Sequence, residues 1–157
     1  MTVGRNAEIT VRAPKRTPDK VILSFLHANA DKITAAAEKA RTRLNAVDEF
    51  TNGKSESQLK AEAAAILSEK VRHYSSLMGL YPAVVRINGA RSRLGSCSSK
   101  GVIHFSFFLM RYPDSAIDYV VVHELAHLKY MDHGKEFYAL IDKYLPDRKE
   151  RQKLLKN

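Results

Sequence analysis

Apolar positions keep a helical rhythm through two long stretches in the first half of the chain. Ile22, Phe25, Leu26, Ile33, Ala37, Ala40 and Leu44 recur at helical spacing, which predicts an amphipathic helix. Thr17-Pro18 ahead of them reads as an N-cap with proline in the first helical position. A short strand is expected earlier, at Ile9–Pro14, where β-branched residues alternate loosely. The rhythm stops at residues 48–55 (DEFTNGKS), a loop built from turn-forming residues. Ser55 with Gln58 three residues later is a capping box, and it starts a second helix. The buried stripe of that helix is expected at Leu59, Ala63, Ile66, Leu67, Val71, Tyr74, Leu77 and Met78, with Gly79 as its stop.

From Ala83 the period shortens. Ala83–Ile87 reads as a strand, Asn88-Gly89 as a tight turn and Ala90–Arg93 as the returning segment. A loop over Gly95–Gly101 leads to a further strand, Val102, Ile103, His104 and Phe105, while Phe107–Met110 is too short and too apolar to assign. Asp114 or Ser115 caps a third helix reaching about Tyr130, with Ser115 and Asp118 fitting a capping box. A fourth runs from about Gly134 to Leu145 and stops at Pro146, and residues 147–157 read as a charged, frayed helix or tail. Without an internal repeat or a second hydrophobic core, the expectation is one α+β domain over residues 1–157.

Composition narrows the class. The chain of 157 residues is 45% hydrophobic and 27% charged, which excludes wholesale disorder. No window approaches the ~18 consecutive apolar residues of a transmembrane helix, and the opening MTVGRNAEITVRAP lacks the apolar run of a signal peptide. A lone cysteine, Cys97, permits no intrachain disulfide and points to a reducing, cytoplasmic setting. Charge is the unusual feature: 26 basic against 17 acidic side chains, formally +9. Lys70, Arg72, Arg86, Arg91, Arg93, Lys100 and Arg111 fall in one stretch before Pro113 that holds no acidic residue. They are expected on the sheet and cleft rim, either as a solvated basic face or as a sequence-independent surface for nucleic acid. The scarcity of aromatic residues there argues against a dedicated single-strand binder.

The candidate chemistry lies in HELAHLKYMDH, residues 123–133. On a helix, His123 and His127 project from one face about one turn apart. Two imidazoles at that spacing can bind one zinc ion, and Glu124 beside them is placed to handle the proton of an attacking water. His133 follows at a separation that lets the chain leave the helix and return a third nitrogen. Three ligands and an open position describe a catalytic rather than a closed structural zinc. Ile117, Tyr119, Val120, Val121, Val122, Leu125, Ala126 and Leu128 make the helix apolar nearly all round. Polar groups are costly there unless they are paired or coordinate a metal.

The run from Arg91 through Tyr138 resembles the YgjP-like metallopeptidase family, relatives of the SprT-like zinc proteases. The resemblance rests on Arg93 to Ser98, Lys100 to Ile103, Pro113, Asp118 to Leu128, His133 and Phe137, and is close over about residues 86–138. Leu94 replaces a tryptophan of the family pattern, Ser106 stands where asparagine is usual, and Tyr138 replaces a second tryptophan. These departures bear on cleft shape rather than on the ligands. The resemblance implies a zincin-like domain: a small, twisted, mostly antiparallel sheet, a backing helix over residues 56–78 and an active-site helix. It implies zinc held by His123, His127 and His133, with Glu124 as general base in the hydrolysis of a protein or peptide substrate. Val102, Ile103, His104 and Phe105 are the expected edge strand for that substrate.

An oxyanion donor or substrate contact is sought among Arg93, His104, Tyr130 and Tyr138, which lie near the motifs in sequence. Cys97 is either a small residue in a turn or a fourth ligand that would close the site. His27 and His73 lack metal-ligand spacing. The rival reading is a basic nucleic-acid-binding module with a structural or vestigial zinc; a third is a protease recruited to nucleic acid. No membrane partner is expected.

Overall fold

The computed structural model describes residues 2, 3 and 9–156. Where the sequence suggested one domain over 1–157, the chain divides into two compact units, Met1–Gly53 and Lys54–Asn157.

In the first unit, β1 (Thr2–Val3) pairs antiparallel with β2 (Ile9–Thr10), so the expected strand is shorter than Ile9–Pro14. The expected helix is two, α1 (Asp19–Ala28) and α2 (Ala30–Thr51). Asn29 makes the break: its backbone leaves the helical region (φ −116°, ψ 15°) and its side-chain amide donates to the Phe25 carbonyl at 2.9 Å. Pro18, rather than Thr17, occupies the N-cap position. Helix α2 continues through Asp48, Glu49 and Phe50, because no breaker occurs before Asn52 (φ 41°) and Gly53 (φ 74°). The side chain of Leu44 lies outside the described ones.

The second unit opens with α3 (Glu56–Met78), and both hydrogen bonds of the Ser55/Gln58 capping box form. Gly79 ends the helix in the left-handed conformation (φ 67°), where a side chain would be strained. The buried stripe is Leu59, Ala63, Leu67, Val71 and Ser75. It advances strictly by four and leaves Ile66 and Leu77 in solvent, contrary to the broader stripe expected. Each fully buried aliphatic contributes roughly 1.5–3 kcal/mol.

Three strands follow: β3 (Val84–Asn88), β4 (Gly95–Cys97) and β5 (Val102–Ser106), in the spatial order β3-β5-β4. The ladder of β3 with β5 is parallel and that of β4 with β5 antiparallel, so the sheet is mixed rather than mostly antiparallel. Asn88-Gly89 is therefore not a hairpin turn: Asn88 Oδ1 accepts from the Ala90 N–H and sends the chain away. The second strand comes instead from what read as a loop, Gly95–Cys97. A 3₁₀ turn, Phe107–Arg111, buries Phe107, Phe108 and Leu109.

Helix α4 (Asp114–Ala126) buries residues all around its circumference. It starts without a side-chain cap, its first N–H groups bonding to the Pro113 carbonyl, and ends four residues earlier than expected. α5 (Lys135–Tyr144) and α6 (Arg148–Leu154) complete the unit, and α6 replaces most of the expected tail with ordered helix. Lys70 bridges α3 to α4 through Asp114 (2.8 Å) and Asp118 (2.7 Å), and Arg151 of α6 reaches Asp118 at 3.4 Å. Among the described residues no helix is long and apolar enough to cross a membrane.

Candidate metal centre

His123 and Glu124 occupy the last full turn of α4, and His127 is its C-cap. The turn after it brings His133 back, so that one nitrogen from each of the three histidines lies within 4.8 Å of the others. The Nε2 atoms of His123 and His133 are 3.2 Å apart. A tetrahedral ion bonded at about 2.0–2.1 Å, as zinc is to histidine, separates two ligand nitrogens by about 3.3–3.4 Å. The His123–His133 edge already has that length, and the donor set fits a divalent metal.

The surroundings orient these rings. His127 Nδ1 lies 3.0 Å from the Tyr130 carbonyl; a carbonyl only accepts, so Nδ1 carries the proton and Nε2 keeps its lone pair. The Tyr119 hydroxyl stands 3.5 Å from His123 Nδ1, one helical turn back. Phe137 is fully buried beneath all three rings, with centroid distances of 4.9, 4.6 and 4.8 Å to His123, His127 and His133. Burial, with lesser contributions from the other two histidines and Arg148, lowers the His123 pKa to about 3. Burial also lowers that of His127, against the bond to Tyr130. Burial thus favours the neutral form of two of the three histidines, the form a metal ligand needs.

Glu124 is buried beside the triad, and burial pushes its pKa up to about 7. Such a carboxyl can accept and return a proton near neutrality. It faces Gly95: a Cβ there would sit 2.5 Å from Glu124 Oε1 and 2.8 Å from its Cγ. Cys97 follows on the same face of β4, and its thiol pKa is raised by burial and by Glu124. The Cys97 Sγ donates to the Ser98 carbonyl at 3.5 Å and does not join the histidine cluster.

The sheet order corrects the expected substrate strand. Val102, Ile103, His104 and Phe105 belong to β5, which has a neighbour on both sides and no free edge. The edge beside Glu124 is β4. Ser106 donates to the Leu94 carbonyl and Ser98 to that of Val102, so the hydrogen-bonded pairs along this ladder include Ser96 with His104. By alternation, the N–H and C=O groups of Gly95 and Cys97 point away from β5, toward the side that no described strand covers.

The remaining sequence candidates separate. His104 shares its register row with Arg86 and Ser96, opposite the buried face of Ile103 and Phe105, and so points away from Glu124. Arg93 is exposed just ahead of β4. Tyr130 serves through its carbonyl, its ring lying under Lys129. Tyr138 stacks on His133, with centroids 6.2 Å apart. Among the seven basic residues, Lys70 is withdrawn into its two ion pairs and Arg91 lies over the Phe108 ring, while Arg72, Arg86, Arg93, Lys100 and Arg111 are exposed. Lys70 instead lines a cavity of about 460 Å³ with Ile66, Glu69, His73, Tyr74, Asp114 and Asp118, none of them a member of the triad. Sequence reasoning missed the parts played by Phe137, Tyr119 and Gly95. Only Tyr119 left a local signal, its spacing of four from His123.

A family model described as the YgjP-like metallopeptidase domain matches residues 52–157. The UTP pyrophosphatase of Escherichia coli (strain K12) is 35% identical over 71 residues, 45% of this chain and 40% of that protein. The match thus spans less than half the length of that curated relative. The crystal structure of the metallopeptidase zymogen of Pyrococcus abyssi abylysin superposes with a TM-score of 0.50 at 26% identity, covering 54% of this chain and 87% of that one.

Proposed function

The chain belongs to the YgjP-like metallopeptidase family, and we propose that it is a zinc-dependent endopeptidase. The observation that carries this reading is the convergence of His123, His127 and His133 beside the buried Glu124 and the open edge of β4. A bound zinc ion would supply Lewis acidity toward a carbonyl oxygen and toward water. Glu124 takes the proton of the attacking water and returns it to the leaving amine, a role suited to a carboxyl whose pKa burial has raised. The substrate lies extended along β4, hydrogen-bonded to the main chain of Gly95 and Cys97, which makes recognition weakly dependent on its sequence. The absence of a side chain at Gly95 leaves room for the Glu124 carboxyl to lie directly against β4, next to the main chain that the substrate would pair with.

A second reading has one specific support: the similarity to a protein named UTP pyrophosphatase. The same site would then hydrolyse a phosphoanhydride, with an exposed arginine such as Arg93, just ahead of β4, neutralising the phosphates. Purified, zinc-loaded protein assayed on unfolded protein and on UTP separates the two. Peptide cleavage abolished by a chelator supports the endopeptidase; pyrophosphate release with no peptide cleavage overturns it. Recruitment to nucleic acid through Arg72, Arg86, Arg93, Lys100 and Arg111 would add salt-sensitive binding to either activity.

A further inference from the structure

Of the three histidines, His133 is the one left exposed, on the loop between α4 and α5. His127 is fixed by the Tyr130 carbonyl and His123 has Tyr119 behind it. His133 Nδ1 has no such partner among the described residues. Outside the other two histidines, its neighbours are rings: Phe137 edge-on at 4.8 Å and Tyr138 nearly parallel, 28° between planes. Tyr138 in turn lies under a guanidinium, Arg148 Cζ being 4.5 Å from its ring centroid. Arg148 opens α6 and is mostly buried, its side chain 12% exposed. Its Nε and Nη2 donate to both carboxylate oxygens of Asp142, at 2.6 and 3.2 Å. Asp142 and Tyr138 stand four apart on α5 and so share one face.

We infer that the Arg148–Asp142 pair is a strut that holds Tyr138 against His133 and thereby sets how tightly the chain grips its metal. The inference rests on the metal reading above. A planar guanidinium held at two points by one carboxylate has little freedom, and over an aromatic face it adds a cation–π attraction. The ring it restrains then limits how His133 can tilt. Asp142 also balances the charge of Arg148, so that a cation can stand near a cation-binding site without repelling the ion. Arg148, Asp142 and Tyr138 are positioning residues and do not touch the reacting atoms. The segment that reads in the sequence as a tail would thus belong to the support of the metal site.

The test is the zinc dissociation constant, measured by chelator competition on folded protein, for the parent, R148M, R148K, D142N, Y138F, Y138L and R151M. R148M is expected to weaken zinc binding about tenfold, within the range of groups that orient a ligand from behind. R148K restores part of the loss by returning a cation to the ring, and D142N falls between. Y138F keeps the ring and binds as the parent does, whereas Y138L weakens like R148M and decides the matter if R148M fails to fold. R151M, which loosens α6 through Asp118 and Asp147 instead, lowers the melting temperature and leaves the zinc affinity alone. Zinc affinity unchanged or tightened in R148M, equal losses in Y138F and Y138L, or a loss in R151M matching that in R148M would each overturn the strut. A parent chain that takes up no zinc sinks the metal reading itself, which is a distinguishable result.

Discussion

Gly95 and Glu124 meet so closely that the glycine's missing side chain is part of the site: a Cβ would come within 2.5 Å of Oε1. In G95A the carboxylate must move, because β4 is held to β5 and the glutamate is held by a buried helix. The three histidines are untouched. G95A should bind one zinc per chain yet hydrolyse substrate on the order of 100-fold more slowly, since a displacement near 1 Å costs about that much. Parental turnover in G95A would show that the carboxylate has no fixed task there.

The pH dependence of metal-free stability follows from two buried groups with opposite signs. His123, lowered from 6.5 to about 3, favours the fold when neutral; its contribution is lost as pH falls from 6.5 toward 3. Glu124, raised from 4.5 to about 7, favours the fold when protonated; its contribution is lost as pH rises from 4.5 toward 7. Each acts with a slope of about 1.4 kcal/mol per pH unit, so the two cancel between pH 4.5 and 6.5. Urea denaturation of the metal-free parent and of E124Q isolates the second term. The parent should lose stability relative to E124Q across pH 4.5–7, and a difference independent of pH contradicts the assignment.

Phe137 lies against all three histidines, so its truncation should act on both stability and metal binding. F137A should cost about 3–5 kcal/mol by opening a cavity, and F137L less. In F137L, zinc release should be faster than in the parent even where both are fully folded. Stopped-flow chelation measures this, and equal release rates would make Phe137 an ordinary core residue.

A substitution far from the site serves as contrast. S55A removes the N-cap of α3 and should destabilise the fold by about 1 kcal/mol with no change in zinc affinity or turnover per folded molecule. A change in either would mean that α3 communicates with the metal site.

The open edge of β4 gives a test of substrate alignment. C97P removes an N–H that points away from β5, a position at which a strand tolerates proline. It should raise KM for extended peptides with little effect on metal content. An unaltered KM would place the substrate elsewhere.

The clustering of the three histidines beside Glu124 was legible because its signal is local: His123, Glu124 and His127 declare themselves by helical spacing, and His133 follows six residues after His127. Local too were the Ser55/Gln58 capping box and the Gly79 stop, both of which form as read. Strand pairing was not legible. Asn88-Gly89 has the composition of a hairpin turn, but β3 finds its partner fourteen residues further on, in parallel, and only that pairing makes β5 central and β4 the edge. The same holds for Arg148, whose place against Asp142 and Tyr138 depends on the path of the chain between α5 and α6 rather than on any residue pattern. Asn29 shows the converse: a periodic apolar stripe ran through a residue whose own backbone preference split the helix.

The proposed site divides the work, Glu124 moving the proton while the three histidines hold the metal. That division is tested most directly by measuring zinc content and peptide hydrolysis together in the parent and in E124Q. One zinc per chain is expected in both, with hydrolysis in the parent that is chelator-sensitive and lost in E124Q. Peptide hydrolysis by E124Q at the parental rate, with zinc bound, would contradict it.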